Sequence, residues 1–146
     1  MIKLFFAFLV AAILAFAPAA MADDVDRSDP QAVTVAFLEA WKARDLKAMA
    51  PLMNSNNTEF FQELAAAGKN HPRYDRIFSG WRDEAAMNWD GTLEATRYDR
   101  GNALVPIGAA GSETFVVVLF DEADGWAVED INSPSTKRFE GLPTSP

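Results

Sequence analysis

Cysteine is absent from the 146 residues, and histidine occurs once, at position 71. Without thiols there is no disulfide framework, no thiolate metal site, no cysteine nucleophile and no cysteine to lipidate after a signal. A single imidazole excludes a histidine-rich metal site. Glycine and proline number 8 each, far below a low-complexity composition. Basic residues are few: 13 against 21 acidic ones, for a formal net charge of -8. Nucleic acid and anionic lipid surfaces are polyanions, so neither attracts an acidic chain that has no long basic run, and no nucleic-acid partner is expected. No strong catalytic motif is present, and no metal or other cofactor is expected. What the chain does have is 49% apolar content, enough for a globular core and too much for intrinsic disorder.

Part of that apolar content lies at the start. Lys3 is the one charge before a continuous apolar run from Leu4 to Phe16, and Ala20, Met21 and Ala22 place small residues where a signal peptidase reads them. The pattern predicts a secretory signal peptide over residues 1–22. A membrane-spanning helix needs about 20 apolar residues, and this run ends at Pro18. Cleavage would leave Asp23 as the new N-terminus of a chain still more acidic, exported to the periplasm or secreted, with no stable membrane insertion. Residues 23–146 are then expected as a single α+β domain, its core at about 29–132, followed by a polar tail over 133–146.

Asp29-Pro30 is a helix start, because the carboxylate accepts from free backbone donors and proline at the first helical position loses no hydrogen bond. Val33, Phe37, Ala40 and Trp41 then form one helical stripe, predicting a helix over 30–43. Asp45 suits the cap of a short second helix carrying Leu46, Met49 and Ala50, its length limited by Pro51. Asn56 and Glu59 have capping-box spacing ahead of Phe60, Phe61, Leu64 and Ala65, with Gly68 as the stop of a third helix. Tyr74, Ile77, Phe78 and Trp81 continue at helical spacing, interrupted by Gly80, as a short helix and a bent connection reaching Trp89.

After Gly91 the pattern becomes that of strands: 92–98, 102–107, 113–120 and 126–131, with hairpin-sized connections at 99–101, 108–111 and 121–125. Four such strands predict an antiparallel meander. The run Phe115 to Phe120 is apolar on both faces, so its strand should be central and covered on both sides. Helices first and sheet last, without alternation, predict an α+β domain. The stretch from Asn132 to Pro146, polar and containing three prolines, is expected to trail over the surface.

Asp29-Pro30 with Val33, Phe37, Ala40 and Trp41, then Arg44-Asp45-Leu46, and late in the chain Asp124-Gly125-Trp126-Ala127-Val128-Glu129-Asp130-Ile131, resemble the nuclear transport factor two-like superfamily, in particular its small exported members. The resemblance covers about residues 29–132. It implies a cone-shaped α+β fold: N-terminal helices packed in a curved antiparallel sheet of four or more strands, with a pocket at the open end. The superfamily includes isomerases, dehydratases, hydrolases and non-enzymatic binding and dimerisation modules, so fold alone does not select an activity. Its enzymes rely on a positioned Asp or His with Tyr or Asp partners, and that constellation has no residue-by-residue match in this sequence.

Candidate residues follow from chemistry. His71 is the one side chain whose ordinary titration falls near neutrality, a weak candidate for a general base, although its place beside Pro72 at a helix start suits a surface residue. Lys69, Arg73, Arg76 and Arg82 face Asp75, Asp83 and Glu84 in sequence, a charge pattern able to hold an anionic ligand or simply to solvate a helix. Trp41 and Trp126 fall in regular apolar patterns and read as core. Trp81 and Trp89 lie near the helix-to-sheet junction, where core and pocket are equally open. Tyr74, Trp81, Arg82 and Trp89 are therefore the candidate ligand-binding residues. Asp121–Gly125 has oxygen donors and a glycine, but lacks a full calcium-ligand series and reads as a hairpin turn. The expected function is a binding or interaction domain taking a small apolar molecule or a protein partner, with a homodimer left open. The alternative is a cofactor-independent isomerase, dehydratase or hydrolase acting on an apolar small molecule.

Overall fold

The computed structural model describes residues 24–146; the predicted signal segment, 1–22, lies outside them. Helix α1 spans Pro30–Lys42, with the Asp29 carboxylate accepting from the Gln31 N–H at 2.9 Å and Pro30 in the first turn. It buries Val33, Phe37, Ala40 and Trp41, as the stripe predicts, together with Thr34 and Leu38. The Thr34 hydroxyl donates to the Pro30 carbonyl at 2.8 Å and so is satisfied inside the core. Helix α2, Leu46–Met49, is capped by Asp45 and continues as a single 3₁₀ turn over Ala50–Leu52.

Helix α3, Thr58–Ala67, starts differently from the predicted capping box. Asn54 organises the entry: its side-chain oxygen accepts from the Asn57 N–H at 3.2 Å and its carbonyl accepts from the Thr58 N–H at 2.9 Å. Gly68 ends the helix at φ 56°, as expected. Two further helices follow, α4 over Tyr74–Ile77 and α5 over Gly80–Asn88, so the predicted bent connection to Trp89 is largely helix and Trp81 lies in it.

The sheet is an open four-stranded antiparallel meander in the order β1 (Arg97–Asp99), β2 (Asn102–Ala110), β3 (Glu113–Glu122) and β4 (Gly125–Asn132). The domain is thus α+β, with helices before the sheet. The predicted strand over 92–98 shortens to β1 because side chains capture the preceding backbone. Asp90 accepts from Thr92 N–H and hydroxyl, Trp89 Nε1 donates to the Thr92 carbonyl, and Gln31 Nε2 donates to the Glu94 carbonyl. The predicted connection at 108–111 also contracts. Strand β2 runs through Gly108 after a register shift between Pro106 and Gly108, at the residue that has no N–H to give the ladder. Pro106 is tolerated there because β1 pairs only as far as Leu104. The predicted connection at 121–125 contracts as well, to a tight hairpin turn at Ala123-Asp124, since Glu122 still pairs with Gly125.

One face of the sheet presents Ala103, Val105, Ile107, Val117, Leu119, Trp126, Val128 and Ile131 to the helices, forming the main core with Phe37, Trp41 and Leu64; Phe115 packs against it. The other face carries Leu104 and Val116. What covers it corrects the reading of residues 133–146 as a trailing tail. Thr136–Glu140 forms helix α6, and Phe139 is buried against Leu104 and Val116. Strand β3 is therefore central and covered on both sides, the second cover coming from the C-terminal segment. Among the described residues no helix is long and apolar enough to cross a membrane.

Candidate functional site

Where α1, α3 and α5 meet strand β4, the molecule opens into a cleft of about 360 Å³, within the roughly 300–1,000 Å³ typical of small-molecule sites. Its apolar lining comes from Phe37, Trp41, Met53, Phe60, Phe61 and Ile77, and its polar lining from Asn57, Arg76, Arg82, Glu129 and Asp130. Trp81 stands at the rim, 38% exposed, stacked on Phe115 with ring centroids 5.9 Å apart.

The apolar wall is held from behind. Trp41 packs edge-on against Phe37 and Phe78, and its indole Nε1 donates to Asp83 Oδ1 at 2.8 Å. Asp83 also takes a two-pronged ion pair from Arg44, with Nη2 to Oδ2 at 2.9 Å. The hydrogen bond from Arg44 holds the Asp83 carboxyl below the ordinary carboxylate range; partial burial opposes this, and the Trp41 indole adds to it. Asp83, which faces Lys69, Arg73, Arg76 and Arg82 in the sequence pattern, is thus paired instead with a residue of the α1–α2 connection. Its role is to fix the Trp41 ring.

The polar wall comes from β4. The ladder shifts register between Val118 and Leu119: Val118 pairs with Asp130, Leu119 pairs with Val128, and Glu129 is the extra residue of a bulge. The bulge breaks strict alternation, so the strand carries Trp126, Val128 and Ile131 into the core while Glu129 lines the cleft. Glu129 is half-buried. Its Oε2 accepts from the side-chain amide of Asn54, which is itself fully buried, and from Asn57 Nδ2 at 3.3 Å; Asn57 also donates to the Glu129 carbonyl at 3.1 Å. Oε1 receives no hydrogen bond from the described residues. No buried side-chain nitrogen or oxygen among those residues lacks a partner, so Oε1 is accessible, on a residue that lines the cleft. The adjacent Asp130 differs: both its oxygens are engaged by Arg82, at 3.1 and 3.0 Å, and Arg82 also donates to the Ile131 carbonyl at 3.0 Å.

The structure brings together two of the four predicted ligand-binding residues. Trp81 and Arg82 line the cleft, with the Arg82 guanidinium 4.4 Å from the Trp81 ring centroid. Tyr74 and Trp89 are not among its lining residues. Tyr74 packs edge-on against Phe78 at 5.0 Å, and Trp89 is a core residue whose indole donates to the Thr92 carbonyl. His71 is not among the lining residues; it lies edge-on to Phe60 at 5.7 Å, with its Nδ1 accepting from the Arg73 N–H. Arg76 lines the mouth and is exposed, with no ion pair among the described residues. No group of three or more His, Cys, Asp or Glu side chains among them could hold a metal ion.

Sequence reasoning did not single out Glu129, Asn54 or Asn57. A signal was present: apolar residues at 126, 128 and 131 cannot share one face of a regular strand, and the odd step marks a bulge at 129 or 130. Comparison of the chain with family models, with curated proteins and with solved structures finds no match.

Proposed function

We propose that this chain is an exported binding domain of nuclear transport factor two-like architecture, its sheet curved into a cone around the helices, and that its cleft takes a small, largely apolar molecule. The observation that carries the reading is the cleft itself, an aromatic wall facing a polar strand at the helix–sheet junction. The order of elements, helices first and a meander last, also supports the resemblance. Export rests on the sequence pattern of residues 1–22.

The binding reading is favoured over the cofactor-independent enzyme by the surroundings of the cleft acid. An isomerase or dehydratase of this type needs a carboxylate or histidine set against a proton donor such as tyrosine. Here Glu129 is held by two asparagine amides, and neither tyrosine nor His71 is among the lining residues.

The four tryptophan indole N–H signals in a proton–nitrogen NMR spectrum test this. Titration with 2-phenylethanol is expected to move the signals of Trp41 and Trp81, which line the cleft, and to leave those of Trp89 and Trp126 in place. Equal shifts at all four, or none up to the solubility of the alcohol, would overturn the reading.

A further inference from the structure

Two charges in the lining of the cleft have no ion-pair partner among the described residues, and only one of them, Glu129, is half-buried. Asp130 is paired through both oxygens with Arg82, and Asp83 is paired with Arg44 outside the lining. Glu129, which lines the cleft, has no ion-pair partner among the described residues, and its Oε1 takes no hydrogen bond from them. The positive group Arg76 stands exposed at the mouth, where water screens it. A half-buried carboxylate with one oxygen already satisfied has capacity for one strong donor, and a charged donor serves it best.

We propose that the cleft is a site for a small organic cation: a protonated amine carried on an apolar ring or chain, its N–H donating to Glu129 Oε1 while its body packs on Trp41, Phe60 and Phe61. Three independent features set this up. The bulge places Glu129 at the cleft rather than on the ordinary alternation of β4. The amides of Asn54 and Asn57, both pointed at Oε2, lock the carboxylate orientation so that Oε1 is the oxygen presented. The apolar residues line the same cleft, and aromatic faces there already attract cations within the protein, Arg82 over Trp81 and Arg73 over Phe60 at 5.6 Å. The ion pair tying up Arg82 removes the competing invitation to an anion. The inference rests on the proposed small-molecule reading of the cleft and adds to it the charge of the occupant.

A matched set of probes tests both levels on the full exported chain, by NMR titration at neutral pH and moderate salt: 2-phenylethylammonium, 2-phenylethanol, 3-phenylpropanoate and ethylammonium. The aryl ammonium is expected to bind about tenfold tighter than the alcohol, and the carboxylate weaker than both. Ethylammonium should show no saturable binding, which separates the site from general attraction to an acidic protein. Glu129→Gln keeps the shape of the side chain and should bring the ammonium to within about twofold of the alcohol. Asn57→Ala, which frees one side of the clamp, should reduce the ammonium preference in part. If alcohol and ammonium bind the wild-type protein equally, or the carboxylate binds best, the cation site is overturned while the small-molecule cleft stands. If no aryl probe binds, the cleft reading falls with it. The comparison of probes on the wild-type chain decides the matter even if neither variant folds.

Discussion

Arg44 occupies the left-handed region of backbone space at φ 56°, a conformation that costs a non-glycine residue about 1 kcal/mol. The position lets the chain turn sharply out of α1, with the Asp45 N–H returning to the Ala40 carbonyl at 2.8 Å. The side chain recovers the cost, since its guanidinium pairs with Asp83 and lies 4.4 Å from the Phe78 ring centroid. Asp83 is only 15% exposed, so solvent screens the pair less than an ordinary surface ion pair. The consequence for pH is directional. A carboxyl whose folded pKa lies below its unfolded one binds fewer protons in the folded state, so its contribution is complete above the unfolded value and lost as pH falls through the folded one. Asp83→Asn should therefore lower Tm at pH 7, and the gap from wild type should close below about pH 4, where the unfolded carboxyl takes up its proton. The exposed Asp26 and Asp90, lowered by their hydrogen bonds with Ser28 and Thr92, act in the same direction. A gap that stays constant from pH 7 to about pH 2.5 would show that the pair contributes nothing through its charge.

At the scale of elements, the β3–β4 hairpin is where turn geometry and tertiary packing meet. Gly125 has φ 102°, and a Cβ there would stand 2.4 Å from the Arg27 carbonyl oxygen, because the lead-in to α1 crosses the hairpin and accepts the Trp126 N–H at 2.8 Å. Gly111, in the β2–β3 turn, has φ 60° and open space around it. Gly111→Ala should cost about 1 kcal/mol, the backbone term alone. Gly125→Ala adds a collision with main chain and should cost roughly 3 kcal/mol, releasing the 24–28 segment to faster amide exchange. Equal losses in denaturant unfolding would mean that Arg27 yields without cost. The same elements explain what could be read in advance. Helix α1 was legible because cap, proline and apolar stripe all agree, and β3 because six apolar residues in a row leave few alternatives. Residues 92–96 look like strand by composition, but Asp90, Trp89 and Gln31 compete for their backbone groups, and such competition depends on neighbours distant in sequence. The candidate cleft is half legible: Trp81 and Arg82, singled out by position and charge, line it, whereas the place of Glu129 depends on a register shift against β3 and that of Asn54 on a loop that reaches β4.

For the whole molecule, an open sheet leaves two edge strands, each a template for pairing with another chain. Both are occupied here by irregular segments. On the β4 side Met53 bridges to Val128, the Asn54 N–H donates to the Val128 carbonyl at 2.8 Å, and Arg82 takes the Ile131 carbonyl. On the β1 side the Tyr98 N–H donates to the Pro143 carbonyl at 2.9 Å and Arg97 donates to the Leu142 carbonyl. The C-terminal segment thus does three things at once: it closes the β1 edge, covers the second face of the sheet with Phe139, and fastens the β2–β3 turn through Thr136 N–H to the Ser112 carbonyl at 2.8 Å. Ending the chain after Asn132 would expose Leu104, Val116 and Val118 beside an unpaired strand. The loss of Phe139 burial alone is worth about 2 kcal/mol, and the lost backbone hydrogen bonds add to it. The truncated protein should unfold at lower denaturant and bind a hydrophobic dye, and it should self-associate at concentrations where the full chain is unchanged by dilution in sedimentation. Phe139→Ala, which keeps the backbone pairing of the segment, separates the two effects: it should lose stability while its edge stays closed, so its self-association should remain close to that of the full chain. If the truncated chain were as stable and as dispersed as the full one, the segment would be an appendage and the second face of β3 would need no cover.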